Sequence, residues 1–385
     1  MRCMRNFSSV FQGLVISFFT LLLAFVMLET ASEIYLTRFA RDEVFRKYAS
    51  LDQLKTRLYF HHMPHRYLGH YPTPNYRQGL NRHNSLGYRG DEIVMPKPDG
   101  EFRIACLGGS TTYSGSVEDY HLAYPAMLEK ELHARGFKNV KVVNAGVNSY
   151  ASWETLINFE FRVLDIQPDL IITYDNINDI APRLVWPPES YQGDNSGYLK
   201  NANQRFMPSI FEYSTLCRIF MIKLNLVSSH NTLHSAADFS STSYLSEFMR
   251  QKALGIYPDG LFKKVSAAEM LAVNKPVYFK RNMENIVTLA QSRGIRVVLS
   301  TFAYCPLFTE QPEVASKEYI GALDEHNDVT RAVAKENNAA LCDLAAEFPK
   351  EKIYFTDGRH MTEKGDALRA KLYADFLEKS GLLKS

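Results

Sequence analysis

Arg103-Ile-Ala-Cys-Leu-Gly-Gly-Ser-Thr-Thr112 is a short apolar run that ends in two glycines and a serine. A run of four or five apolar residues bounded by glycine reads as a buried strand. Gly108 and Gly109 permit the tight turn that would expose Ser110 just beyond the strand end. Downstream the pattern alternates. A helix is expected around Pro125–Arg135, a strand at 140–146 (VKVVNAG), a helical stretch at 152–165 and a strand at 169–174 (DLIITY). After a long insertion come a helix near 277–293, a strand at 295–301 (IRVVLST), a helix near 316–336, a strand at 339–344 (AALCDL) and a closing helix at about 362–379. Strands alternating with helices predict a parallel sheet covered on both faces, an α/β/α fold in three layers with five strands.

Ligands of open α/β sheets bind beyond the carboxyl ends of the strands. That edge selects Ser110 after the first strand, Gly146 after the second, Asn178 after the third, and Asp357 with His360 after the fifth. The residue types are complementary. A serine hydroxyl becomes nucleophilic when a histidine takes its proton, and a carboxylate fixes the histidine tautomer. Asp357 and His360 are close enough in sequence for one turn to bring carboxylate and ring together. The N–H groups of Ser110 and Gly146, with the Asn178 amide, are the expected oxyanion donors, and the absent Cβ of Gly146 is expected to let a substrate oxygen approach. Each motif has a bland reading in isolation: Gly-Gly-Ser as an ordinary turn, Asp-x-x-His as a helix start, Asn178-Asp179 as the beginning of a helix, with Asp179 structural. Their order after successive strands favours the catalytic one.

These blocks, Ser110 in GGST, Gly146 in NAG, Asn178 in NIND and His360 in DGRH, resemble the signature of the SGNH (GDSL-like) hydrolase superfamily. HMTEKGDALRA resembles its closing helix, and NSLGYRGDEI (84–93) resembles the lead-in of membrane-anchored envelope members. The resemblance spans about residues 81–380 and implies a flavodoxin-like strand order, 2-1-3-4-5. Two blocks depart from the pattern. GGS replaces the usual GDS, and Asn176 stands where glycine is usual, a position at which asparagine would tolerate left-handed backbone. Thr112 rules out the Gly-x-Ser-x-Gly nucleophile elbow.

Asn6–Leu28 contains no charged residue and, as a helix, would cover the ~30 Å hydrocarbon core of a bilayer. Arg2 and Arg5 precede it, and Glu29 and Glu33 follow, so the expected topology is single-pass, with the N-terminus cytoplasmic and the remainder outside. A cleaved signal peptide, with Thr30-Ala31-Ser32 as its cleavage site, would have a shorter apolar region of ~7–15 residues. The expected organisation is therefore an anchor at 1–28, a stalk and lead-in at 29–100, and a hydrolase domain at 101–385 with an insertion at about 180–275. Residues 29–60 read as one partly amphipathic helix and 61–100 as irregular.

The remaining composition mostly excludes. A net charge of +2 over 385 residues provides no basic field for nucleic acid. Five cysteines make no disulfide framework in so long a chain: Cys106 and Cys342 read as buried thiols, while a Cys217–Cys305 bridge remains open. Among His61, His62, His65 and His70, the pair four apart, His61 and His65, is separated by a turn-prone stretch containing Pro64, so all four read as loop histidines, and neither metal nor cofactor is expected. Trp186, Tyr191, Tyr198, Phe206, Phe211 and Tyr213 of the insertion read as the core of a subdomain rather than a cleft lining. Three function classes follow: an esterase acting on an acyl ester or acylated envelope glycan, an O-acyltransferase working with a membrane partner, and an inactive binding module.

Overall fold

The computed structural model of the protein describes residues 2–50, 52–54, 61–65, 68–186, 188–194, 209–227, 229 and 265–383. Tyr198 and Phe206 lie outside these residues. The chain forms two compact units, Met1–Phe60 with Ala202–Asp238, and His61–Asn201 with Phe239–Ser385.

The smaller unit is built on helix α1, Arg2–Ile34; from Phe11 through the turn that ends at Phe39 the chain is long and apolar enough to cross a membrane. The single helix expected over 29–60 is interrupted. A wide turn, Tyr35–Phe39, ends at Ala40 in extended backbone, and a new helix runs Asp42–Tyr48. The break lets Leu36, Phe45 and Tyr48 turn inward against Ile222 of the helix Thr215–Lys223. Glu29 serves the first turn of that helix: its carboxylate accepts from the Thr215 and Leu216 N–H groups (2.6 and 3.0 Å) and from Ser214 Oγ (2.7 Å), donors a helix start leaves unpaired.

The larger unit contains a five-stranded parallel sheet. Its strands are β1 Phe102–Gly108, β2 Val140–Asn144, β3 Leu170–Tyr174, β4 Arg296–Ser300 and β5 Ala340–Cys342, in the order 2-1-3-4-5. The helices are α2 Tyr124–Ala134, α3 Ser152–Asn158, α4 Val277–Ser292, α5 Lys317–Glu336 and α6 Glu363–Lys379. Alternate residues of β1 face opposite layers, as the strand period requires. Ile104 and Cys106 pack with Leu128 and Leu132 of α2 and Tyr373 and Leu377 of α6. Ala105 and Leu107 pack with Met283, Ile286 and Val287 of α4 on the other face. All seven residues of β1 are buried, and each large apolar side chain so placed contributes about 1.5–3 kcal/mol.

Two other expectations change, and the one question left open about the cysteines is answered. The lead-in is not irregular throughout: His62–His65 pairs with Gly69–Pro72, Arg77–Gln78 pairs with Asn81–Arg82, and Arg89 bridges to Asn144 at the end of edge strand β2. Cys217 and Cys305 are both free thiols, as are the buried Cys106 and Cys342. The insertion aromatics divide: Tyr191 is buried and meets Tyr278 edge-on, Trp186 is partly buried, and Phe211 and Tyr213 are exposed.

Candidate active site

β1 delivers the chain to the carboxyl edge of the sheet, where Gly108 takes a φ of +144°. A side chain there would bring its Cβ within 2.5 Å of both Thr112 Oγ1 and the Tyr174 carbonyl, so this position requires glycine. The carbonyl of Gly109 accepts the N–H groups of Thr112 and Tyr113, both at 3.0 Å, which closes the one-turn helix Ser110–Tyr113. Ser110 heads that turn.

Between the short helix Lys352–Tyr354 and α6, the DGRH loop is folded by its own carboxylate. Asp357 Oδ1 accepts the N–H groups of Arg359 (3.1 Å) and His360 (2.8 Å), while Oδ2 accepts from His360 Nδ1 at 2.7 Å. The carboxylate can only accept, so the His360 proton sits on Nδ1 and Nε2 is left as an acceptor. Ser110 Oγ lies 2.7 Å from that Nε2. Burial pushes the Asp357 carboxyl up. The hydrogen bond and charge of His360, its backbone N–H and the nearby Arg359 outweigh this and hold it well below the usual carboxylate range. Asp357 therefore stays ionised as pH falls through values at which a free aspartate takes a proton. Ser110, His360 and Asp357 thus form one continuous hydrogen-bonded line.

Asn178 lies in the short helix Ile177–Asp179 after β3. Its Nδ2 donates to the Tyr150 carbonyl at 2.8 Å and lies 2.7 Å from where a Cβ on Gly109 would stand. The amide is therefore packed against the residue preceding Ser110. Asn176 does not use left-handed backbone: its φ is 179°, and its amide donates to Leu323 O (3.0 Å) and Asn327 Oδ1 (2.9 Å). Asp179 is structural, but for a different helix than its own. It accepts the Ser152 N–H and hydroxyl at the start of α3, and burial raises it to about 7 despite those bonds.

Gly146 occupies a different position from the one its motif suggested. Its N–H is donated to Asn144 Oδ1 at 3.1 Å, and a Cβ there would strike the Tyr113 backbone nitrogen at 2.3 Å. The missing side chain is thus taken up by the nucleophile turn packing beside it, not by open space.

Three residues passed over in the sequence bear on the same edge. Ser149, exposed at a φ of +68° in the turn Val147–Tyr150, has no acceptor for its N–H among the described residues. A polar residue forced into left-handed backbone leaves no sequence signal when only glycines are sought. Arg369 of α6, fully buried, donates to the Thr111 carbonyl (2.8 Å) and to Asp366 (2.6 Å), whose carboxylate in turn accepts the Tyr124 N–H. Its signal was the Asp-x-x-Arg spacing inside the closing helix. Among the described residues no group of three or more His, Cys, Asp or Glu side chains could hold a metal.

A five-stranded parallel sheet in the order 2-1-3-4-5, with serine, histidine and aspartate joined at its carboxyl edge, places the larger unit in the class of SGNH α/β hydrolase folds. The chain belongs to the GDSL-like lipase/acylhydrolase family, whose model matches residues 106–368. Solved structures similar to it include the acetyl xylan esterase AlAXEase, 14% identical, covering 71% of this chain and 98% of its own, with a TM-score of 0.41. A lipase/acylhydrolase from Enterococcus faecalis is 15% identical over 72% of this chain and 96% of its own, with a TM-score of 0.42. LAE5, a hydrolase from the Lake Arreo metagenome, is 15% identical over 76% of this chain and all of its own, also at 0.42. Among proteins with curated descriptions none matches this chain.

Proposed function

We propose that this family member is a membrane-anchored serine esterase that removes an acyl group, such as acetyl, from an envelope glycan or small ester. The observation that supports it is the line from Ser110 Oγ through His360 to Asp357, with both links at 2.7 Å. In this reading His360 Nε2 takes the Ser110 proton as Oγ attacks the ester carbonyl. The oxyanion of the tetrahedral intermediate is met by the Ser110 N–H and the Asn178 amide, with the Ser149 N–H as the third donor in place of Gly146. The intermediate collapses as His360 returns the proton to the leaving alcohol, and water repeats the sequence to free the serine. No step draws on a cofactor.

The same acyl-enzyme has a second outcome, transfer to a sugar hydroxyl instead of water, with the acyl group supplied by a membrane partner. Mass spectrometry after exposure to an aryl acetate separates the two. An esterase is expected to show a transient acetyl on Ser110 that decays at the same rate with or without glycan. Decay accelerated by a glycan, with acetyl appearing on it, would identify a transferase, and a protein never acetylated at Ser110 would end both readings.

Arg2 and Arg5 before the span and Glu29 and Glu33 after it support a cytoplasmic N-terminus and an outward-facing hydrolase unit. An alkaline phosphatase fused to the C-terminus is expected to be active and to sediment with membranes. An inactive fusion would reverse the topology, and activity in the soluble fraction would show that the apolar segment is cleaved.

A further inference from the structure

We infer that the segments His61–His65 and Leu68–Ile93, which precede the residues that match the family model, are a clamp on the turn that carries Ser110, and that Arg89 is its positioning residue; the inference rests on the reading of Ser110 as nucleophile. The helix Ser110–Tyr113 is a single turn closed by Ser114 at a φ of +61°. One helical turn does not hold itself in water, so its geometry must be imposed from outside. Arg89 imposes it. Its guanidinium is buried, and its five N–H donors meet five oxygens. Nε donates to Asn81 Oδ1 (2.8 Å), Nη1 to the carbonyls of Tyr113 (2.7 Å) and Ser114 (3.0 Å), and Nη2 to those of Val117 (2.5 Å) and Glu118 (3.2 Å). Four of the five lie in the chain that leaves the nucleophile turn. The guanidinium also lies over the Tyr113 ring at 4.6 Å.

The hydroxyl end of Tyr113 is held by the same segment. It lies 2.5 Å from His61 Nε2, 2.8 Å from His83 Nε2 and 3.1 Å from Asn81 Oδ1. The tautomers follow from the far end of this chain. Thr73 O can only accept, so His83 carries its proton on Nδ1 (2.9 Å), and its Nε2 shares the single Tyr113 hydroxyl proton with Asn81 Oδ1, both being acceptors. The tyrosine oxygen then accepts from His61 Nε2, leaving His61 Nδ1 to accept from His62 Nδ1 at 3.0 Å. This directional chain requires neutral rings. Burial, with Arg89 nearby, lowers His61 to about 4; burial, with His61 nearby, lowers His83 to about 3. A second arm reaches the turn that holds Asn178. His70 Nε2 donates to Asn148 O (2.8 Å), and the Tyr150 hydroxyl donates to the His70 carbonyl (2.5 Å). Lysine cannot replace Arg89, because a compact ammonium has three donors and no planar fork.

The test uses the full chain in detergent, with an aryl acetate and a fluorophosphonate probe, and rates are divided by titrated active sites. Arg89→Ala is expected to lower kcat and the labelling rate together by about 30- to 100-fold, as sub-ångström misplacement of a nucleophile does, with KM changed by less than about threefold. Millimolar guanidinium is expected to restore part of that loss, and Arg89→Lys is not expected to restore it. A wild-type kcat per titrated site in Arg89→Ala, whatever its Tm, would overturn the clamp. Should that variant not fold, Tyr113→Phe keeps the ring and removes the hydroxyl. An about tenfold lower kcat per site supports the inference, and an unchanged one overturns it. Wild-type protein that is labelled at another serine would overturn the nucleophile reading and the clamp with it, whereas normal Ser110 labelling with an unaffected Arg89→Ala sinks the clamp alone.

Discussion

Replacing Ser110 by alanine is expected to abolish both acyl-enzyme formation and labelling by a fluorophosphonate, with kcat on an aryl ester falling on the order of 10⁴- to 10⁶-fold. The size of the effect follows from the chemistry. His360 Nε2 has a base's position, but without the hydroxyl 2.7 Å away it has no proton to take and the substrate carbonyl no nucleophile to meet. Stability should hardly change, because Ser110 Oγ is part-buried and its partner His360 remains held by Asp357 on the other side. The measurement is intact-protein mass spectrometry with the probe, alongside steady-state kinetics. Labelling that persists in the alanine variant at another serine would show that the wrong residue has been chosen.

Asn178→Ala is expected to lower kcat at least about a hundredfold while Tm moves little. Loss of one preorganised oxyanion donor costs about 3–4 kcal/mol of transition-state stabilisation. Loss of a side chain that merely donates to the Tyr150 carbonyl would cost about 1 kcal/mol of stability and no rate. One Asn178 Nδ2 proton is donated to the Tyr150 carbonyl, and the other remains for the oxyanion. Asn176→Gly is the contrasting case. It deletes two buried hydrogen bonds, to Leu323 O and Asn327 Oδ1, and is expected to cost about 2–3 kcal/mol of stability while each folded molecule keeps nearly its full rate. Asn178→Ala with a normal kcat would remove this amide from the site and leave the N–H groups of Ser110 and Ser149 to carry the oxyanion.

Periodicity by itself determined the layered sheet: short apolar runs of β-branched residues ending at glycine or a polar residue, separated by amphipathic stretches, have few other ways to bury themselves. The strand order came from resemblance to a family, since no pattern within a strand records its neighbours. Ser110, Asp357 and His360, which the fold joins by hydrogen bonds, were legible because each stands just beyond a strand or in a turn where backbone geometry exposes side chains. What only the tertiary structure decided concerns partners distant in sequence. Gly146 reads like an oxyanion glycine until Asn144 and Tyr113 are seen to take its N–H and its empty side. Asn176 reads like a left-handed substitute for glycine until its amide is found anchored to α5. The break at Ala40, which lets Leu36 and Phe45 share a core with Ile222, depends on a segment far along the chain. Arg89 looks like one more charge in a polar loop, and nothing local to it reveals the carbonyls it binds. Hydrogen bonds are satisfied by whatever the fold brings near, so a residue whose partners are remote leaves no periodic trace in its own neighbourhood.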